Sequence, residues 1–319
     1  MGTKASRERI SEIMGCIKLI GKKRALIAFG LNEETFNRYV RLAKEYGIDG
    51  KASSLAADII DKFSPSELRA IVSGSALSPY EATQKYDFTG TQVKIGSITD
   101  THLGSKYSNP FRIEQVFDCF RREKVDIVTH SGDVSEGMSN RPGHVYELTH
   151  IGYEAQKALC IKTLSQWTDT DIYLVDGNHD RWFIKACGAN IVQDVCAAIP
   201  NAVYLGHDVG HIRLSKNVRV DLWHGEDGSS YATSYRIQKI VESMPVGDKP
   251  QLLLCGHTHK QIMMFERNVH CFSCGSVESQ SAWMRSKRLP AHEGFWIITL
   301  TIGKAGITRC AGEWFPFYD

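Results

Sequence analysis

Five short runs in this chain place imidazole, carboxylate and amide side chains directly after apolar residues. They are Asp100-Thr101-His102, Gly132-Asp133, Gly177-Asn178-His179-Asp180-Arg181, His224-Gly225 and Gly256-His257-Thr258-His259. A lone Asp-x-His is more often a surface pair than a ligand pair, and an isolated His-x-His is more often structural than not. Five such runs in series are another matter, because together they form a donor set for divalent cations. Imidazole mixed with carboxylate suits Mn, Fe or Zn better than Ca, whose oxygen-rich cage has no counterpart here. The chemistry open to such a set is that of a bound ion: Lewis acidity and the activation of water.

The segments that must position these residues are strand-like. QVKIGSITD, VDIVTHSGD, DIYLVDGNHD, VRVDLWHG and PQLLLCGHTH are apolar, and each ends in one of the five runs. FRIEQVFDCFRREK, HVYELTHIGYEAQKALCIKTLSQW and SYATSYRIQKIVESM carry helical spacing. Strands alternating with helices predict an α/β layered domain in which helices cover a sheet. Sites in open α/β folds lie at the C-terminal ends of strands, where these ligands fall.

With these five blocks in this order, the chain resembles the calcineurin-like metallophosphoesterase superfamily over about residues 91–300. The resemblance implies a β-sandwich flanked by helices, with strand-end loops holding two divalent metal ions. Mn2+ is the first expectation, with Fe, Zn or Ni as alternatives. Matched motif by motif, Asp100, His102 and His259 would bind one ion, Asn178, His224 and His257 the other, and Asp133 would bridge them. The pair would clamp a phosphoryl group and lower the pKa of the water between the ions. His179 would be the general acid for the leaving oxygen, a role suited to an unperturbed pKa of ~6.5. The family often pairs this histidine with an acid three residues after the bridging Asp, a position held here by Glu136 rather than the more usual Asp. Asp180 and Arg181 either orient His179 and bind a substrate phosphate, respectively, or are surface salt-bridge partners. Within the family, THLGSK and GDVSEG resemble the DNA-processing branch of repair exonucleases and archaeal polymerase exonuclease subunits. The expected function is therefore hydrolysis of nucleic-acid phosphodiesters, DNA foremost. The alternatives are a phosphatase or phosphodiesterase on small nucleotides and a non-catalytic DNA-binding accessory protein. The segment 139–167, with Arg141, His144, Tyr146 and His150, either caps the site or packs on the sheet.

Residues 1–75 read as a separate, small all-α domain. SRERISEIMGCIKLIG, EETFNRYVRLAKEYGI, SSLAADIIDKF and SPSELRAIVSG have helical spacing, and the break at Gly30 and Asn32 resembles a helix-turn-helix. Its second helix would offer Asn37, Arg38, Arg41 and Lys44 to nucleic acid, since Arg and Lys meet phosphates and Arg and Asn can also read base edges. A plain helical bundle with solvated charges is the alternative. Residues 76–91 read as a linker, and 92–319 as the metallophosphoesterase domain. A net charge of +2 over 319 residues neither demands nor excludes a nucleic-acid partner. No apolar run reaches the ~18 residues of a membrane span, and no signal-peptide pattern opens the sequence. Nine cysteines, an odd number in mostly apolar surroundings, fit reduced thiols in a cytoplasmic protein.

Overall fold

The computed structural model describes residues 31–48, 83–86, 88–226, 230–245 and 247–318, with isolated positions between 10 and 26. The chain divides into two compact units, Met1–Pro79 and Tyr80–Asp319. In the first unit, helix α1 spans Glu33–Glu45. Asn32 caps it, its side-chain oxygen accepting from the Thr35 amide at 2.8 Å. Glu33 and Glu34 in the first turn and Lys44 in the last complement the helix dipole. Phe36 and Ala43, seven residues apart, are buried on one face, while Asn37, Arg38, Arg41 and Lys44 are exposed. Most of the preceding helix expected from the sequence, and all of 51–75, lie outside the described residues, and with them the helix-turn-helix pairing.

The second unit holds two six-stranded sheets. One runs β12-β11-β2-β3-β4-β5, built from β2 (Gln92–Ile98), β3 (Ile127–Ser131), β4 (Ile172–Asp176), β5 (Ala202–His207), β11 (Gly294–Gly303) and β12 (Gly306–Pro316). The other runs β1-β6-β7-β8-β10-β9, from β1 (Thr83–Lys85), β6 (Val209–Ser215), β7 (Val218–Trp223), β8 (Leu252–Cys255), β9 (Gln261–Glu266) and β10 (Val269–Cys274). Among the described residues six α-helices accompany the sheets: α2 (Pro110–Glu123), α3 (Tyr153–Leu164), α4 (Arg181–Cys187), α5 (Ile191–Ala198), α6 (Tyr235–Ser243) and α7 (Ala282–Ser286).

Alternation along each strand builds three apolar layers. Val93 and Ile95 of β2, Tyr173 and Val175 of β4, Val220 and Leu222 of β7 and Leu252 and Leu254 of β8 meet between the sheets. The opposite faces, with Val128, Ile172 and Leu174, pack under Phe117 and Phe120 of α2, Leu164 of α3 and Val192 and Val195 of α5. On the other sheet, Leu253 and Cys255 pack with Ile237, Ile240 and Val241 of α6. Strands buried on both faces read as continuous apolar runs rather than alternating ones, which is why the five ligand-bearing segments look alike in sequence. Each fully buried aliphatic side chain contributes ~1.5–3 kcal/mol, so the strand ends are firmly held. Cys255, just before Gly256-His257, belongs to this packing.

Three expectations change. The helical pattern over 144–167 divides into a 3-10 turn, His144–Glu147, and α3, separated at Gly152, whose φ of 92° no continuing helix allows. Part of the expected linker is a strand: Thr83–Lys85 pairs in parallel with β6. Strands β5, β6 and β9 to β12 and helices α4, α5 and α7 add to the elements read from the sequence. Among the described residues no disulfide forms and no helix is long and apolar enough to cross a membrane.

Candidate metal centre

β2, β3 and β4 are mutually parallel, as are β7, β8 and β10, so the C-terminal ends of each set point one way. The ligand-bearing loops leave those ends three from one sheet and two from the other, and they converge. Asp100, His102, Asp133, His257 and His259 all sit at positive φ, between 44° and 69°. Such backbone costs on the order of 1–3 kcal/mol per residue and persists where neighbours over-determine it. The neighbours are visible: the Asp100 amide donates to Gly132 O and the His102 amide to Asp133 O, each at 3.0 Å. Two glycines permit the approach. A Cβ on Gly177 would collide with the Asp133 carboxylate, and one on Gly132 with the His224 ring.

The first donor cluster is Asp100, His102 and His259. Asp100 Oδ1 lies 3.0 Å from His259 Nε2 and 3.7 Å from His102 Nε2. Asp100 Oδ1 and His102 Nε2 are buried yet make no hydrogen bond. Orphaned, mutually facing donor atoms in a buried pocket fit a cation that satisfies them. His102 Nδ1 donates to Glu136 Oε2 at 2.8 Å, which turns its Nε2 lone pair towards that point.

The second cluster is Asp133, His224 and His257, joined by Asn178. The Asn178 oxygen lies 2.7 Å from His257 Nδ1 and 3.1 Å from His224 Nε2. His224 Nδ1 donates to Ser131 O at 2.7 Å, again orienting the other ring nitrogen inwards. Asp133 Oδ2 stands 3.1 Å from His224 Nε2 and 3.7 Å from His102 Nε2, so one oxygen faces both clusters. All seven residues singled out as ligands therefore meet in one place.

Electrostatics match a cation site. Burial opposes charge on Asp100, but His259 and His102 hold its carboxyl well below the usual range. Burial likewise opposes charge on Asp133, and His224 and His179 pull that carboxyl down. Burial disfavours the His102 and His224 cations, yet Glu278 and Asp100 carry the first well above its ordinary value, and Asp133 carries the second to about 9. Burial and the neighbouring His224 press His257 down to about 4.

His179 sits beside the clusters, its side chain 23% exposed. Its amide donates to Asp133 Oδ1 at 2.8 Å, and its Nδ1 donates to the backbone oxygen of Glu136 at 2.9 Å. Trp182 packs against the ring at a centroid distance of 3.9 Å. Burial lowers the imidazolium's stability, but the Asp133 and Glu136 charges outweigh it and raise the pKa. The Glu136 carboxylate itself lies 3.5 Å from His179 Nδ1 and bonds His102 and His144 instead, each at 2.8 Å. The Glu136 side chain, expected to pair with His179, thus orients His102, while the Glu136 carbonyl orients His179.

Asp180 is buried and accepts from the Val134, Ser135 and Gly177 amides at 2.8–3.0 Å, tying the Asp133 loop to the Asn178 loop. Arg181 is 8% exposed and bound to Asp176, Asp208 and Glu226. Asp208 in turn accepts from the His224 and Gly225 amides. Arg181 is neither a surface residue nor a lining residue of the centre; it clamps the loops that carry Asn178 and His224.

The clusters open into a cavity of about 440 Å³. Of the segment 139–167, Ser139, Arg141 and Glu147 line it, His144 is buried behind as a support for Glu136, and Tyr146 and His150 are not among the lining residues. Three further lining residues have no place in the sequence-based expectation. Glu278, in the loop that follows β10, puts Oε2 3.7 Å from His102 Nε2 and accepts from Ser105 Oγ at 2.6 Å. Arg236 of α6 brings a buried guanidinium, and α7 brings Trp283. Glu278 has a signal in the sequence: VHCFSCGSVE is also an apolar run closing in glycine and an acid.

The model of the calcineurin-like phosphoesterase superfamily domain matches residues 93–289, more than half of the chain. No curated protein matches. Among solved structures, an archaeal phosphodiesterase is 16% identical, covering 70% of this chain and 100% of its own, with a TM-score of 0.42. Yfce, a phosphoesterase from E. coli, is 18% identical over 69% of this chain and 98% of its own, with a TM-score of 0.41. Vacuolar Protein Sorting 29 from Cryptosporidium parvum is 14% identical over 72% and 100%, with a TM-score of 0.38.

Proposed function

The chain belongs to the calcineurin-like phosphoesterase superfamily, and on that premise we propose that it hydrolyses nucleic-acid phosphodiesters with two divalent metal ions. One observation carries the reading: the Asp133 carboxylate faces two donor clusters in a cavity that also holds the oriented His179. Asp100, His102 and His259 would hold one ion, Asn178, His224 and His257 the other, and Asp133 both. Bound there, the ions supply Lewis acidity and activate water, with Mn2+ the first choice for this donor set and Fe, Zn or Ni the alternatives.

The chain's own residues do the rest. His179, its Nδ1 committed to the Glu136 carbonyl, keeps Nε2 for the departing oxygen and hands over a proton there. The Asp133 and Glu136 charges raise the His179 pKa against the opposing effect of burial and so favour the protonated ring. Trp182 fixes the ring plane, and the Arg236 guanidinium offsets phosphate charge at the cavity wall. Support for a nucleic-acid substrate comes from the exposed Asn37, Arg38, Arg41 and Lys44 on α1 and from the THLGSK and GDVSEG blocks. A second reading, a phosphodiesterase or phosphatase on small nucleotides, is favoured by the size of the cavity, which suits one nucleotide.

The test is turnover by the Mn2+-loaded protein of bis-p-nitrophenyl phosphate against p-nitrophenyl phosphate, beside DNA, RNA and cyclic nucleotides. The diester and at least one polynucleotide should be cut. Robust monoester turnover with no cleavage of any polynucleotide would refute the nucleic-acid assignment.

A further inference from the structure

We infer that Trp283 seats an unstacked nucleobase of the substrate, so that the centre acts on single-stranded or frayed nucleic acid rather than on intact duplex. The inference rests on the phosphodiesterase reading above and deepens it. Trp283 lines the same cavity as His102, Asp133 and His179, yet its indole is 44% exposed. A large ring left open on the rim of a pocket is apolar surface that a ligand can cover.

The ring is held rather than loose. Ser281 Oγ accepts from the Met284 amide at 3.2 Å at the start of α7, and Met284 is buried beneath the helix. Gln280 pins the far end of the segment by donating to Leu289 O at 2.7 Å. Leu289 and Tyr107 extend the apolar wall, and the Arg141 guanidinium lies 5.9 Å from the Trp283 ring centre. Indole with a neighbouring guanidinium is the pairing that stacks on a base without regard to its sequence. Within a duplex each base has both faces covered by its neighbours, so an indole can stack only on one that has left the helix.

The experiment compares two diesters that share the p-nitrophenolate leaving group: thymidine 5′-p-nitrophenyl phosphate and methyl p-nitrophenyl phosphate. Wild type, Trp283→Ala and Trp283→Phe are assayed as full-length, Mn2+-loaded proteins. Binding of an oligodeoxynucleotide ending in 2-aminopurine is followed by fluorescence in parallel. The ratio of kcat/KM for the nucleoside diester over the methyl diester should fall about tenfold in Trp283→Ala, the scale of removing one base stack. Trp283→Phe should keep most of the ratio, and quenching of 2-aminopurine should weaken in the alanine variant. An unchanged ratio, or equal loss on both diesters with unchanged quenching, would overturn the inference while leaving the diesterase reading intact. Absence of turnover of either diester by the wild type would overturn that reading and the inference with it.

Discussion

On the proposed reading His102 and His224 would each give a ring nitrogen to a cation, yet in the metal-free protein both hold a proton more tightly than a free imidazole. Metal binding at pH 7 should therefore release protons. Calorimetric titration with Mn2+ in buffers of different ionisation enthalpy should show this release, shrinking as pH passes about 9, where His224 is already neutral. Buffer-independent enthalpies at pH 7 would contradict it. The sign for stability follows from the same shift. A raised folded-state pKa stabilises fully below the unfolded value of ~6.5. That contribution disappears as pH climbs through about 9, so the melting temperature of the metal-free protein should drop there. For His179→Ala, turnover should fall by ~10²–10⁴, the usual contribution of a general acid, with metal content unchanged. Loss of metal would mean the ring is a ligand. The seven candidate ligands are legible in the sequence because each closely follows an apolar strand. Trp182 and Arg236 are not, since they reach the centre from helices and nothing local distinguishes them from packing or surface residues.

At the scale of elements, the centre depends on loops being locked to one another. Arg181 joins Asp176 at the end of β4 to Asp208 before β6 and Glu226 after β7. Arg181→Met leaves buried Asp176 without its cation, a loss of ~3–5 kcal/mol in comparable buried pairs. The melting temperature should fall, and metal affinity should weaken most at the Asn178, His224 and His257 cluster. A variant with wild-type metal affinity would show that the clamp is not needed there. The strands ending in ligands are readable as apolar runs of parallel-sheet type. The expected single helix over 144–167 fails because apolar spacing continues across Gly152, and only the backbone shows that the chain turns there. Helix α4 is hidden by its length of seven residues, directly after the ligand run. Strand β10 has the same form in sequence as its neighbours but no histidine after its glycine, so Glu278 does not stand out with the other donors.

Across the whole molecule, the proposed function draws on a candidate metal centre in Tyr80–Asp319 and on helix α1 of Met1–Pro79, which exposes Arg38, Arg41 and Lys44 although its charges balance. If α1 meets phosphates, replacing Arg38, Arg41 and Lys44 together by Glu in the full chain should weaken oligonucleotide binding. It should also flatten the dependence of log affinity on log salt by ~0.7–0.9 for each phosphate no longer neutralised. Turnover of a small diester should be spared, and unchanged affinity would favour the plain helical bundle. The complete donor set, with His179 oriented beside it, speaks against a vestigial domain. The most direct measurement is cleavage of an end-labelled single-stranded oligodeoxynucleotide by the full-length protein, metal-stripped and then reloaded with Mn2+, beside His179→Ala. Cleavage should appear only with metal and be slowed ~10²–10⁴-fold in the variant. Intact oligonucleotide from a metal-loaded wild type that still hydrolyses a phosphomonoester would contradict the proposed function.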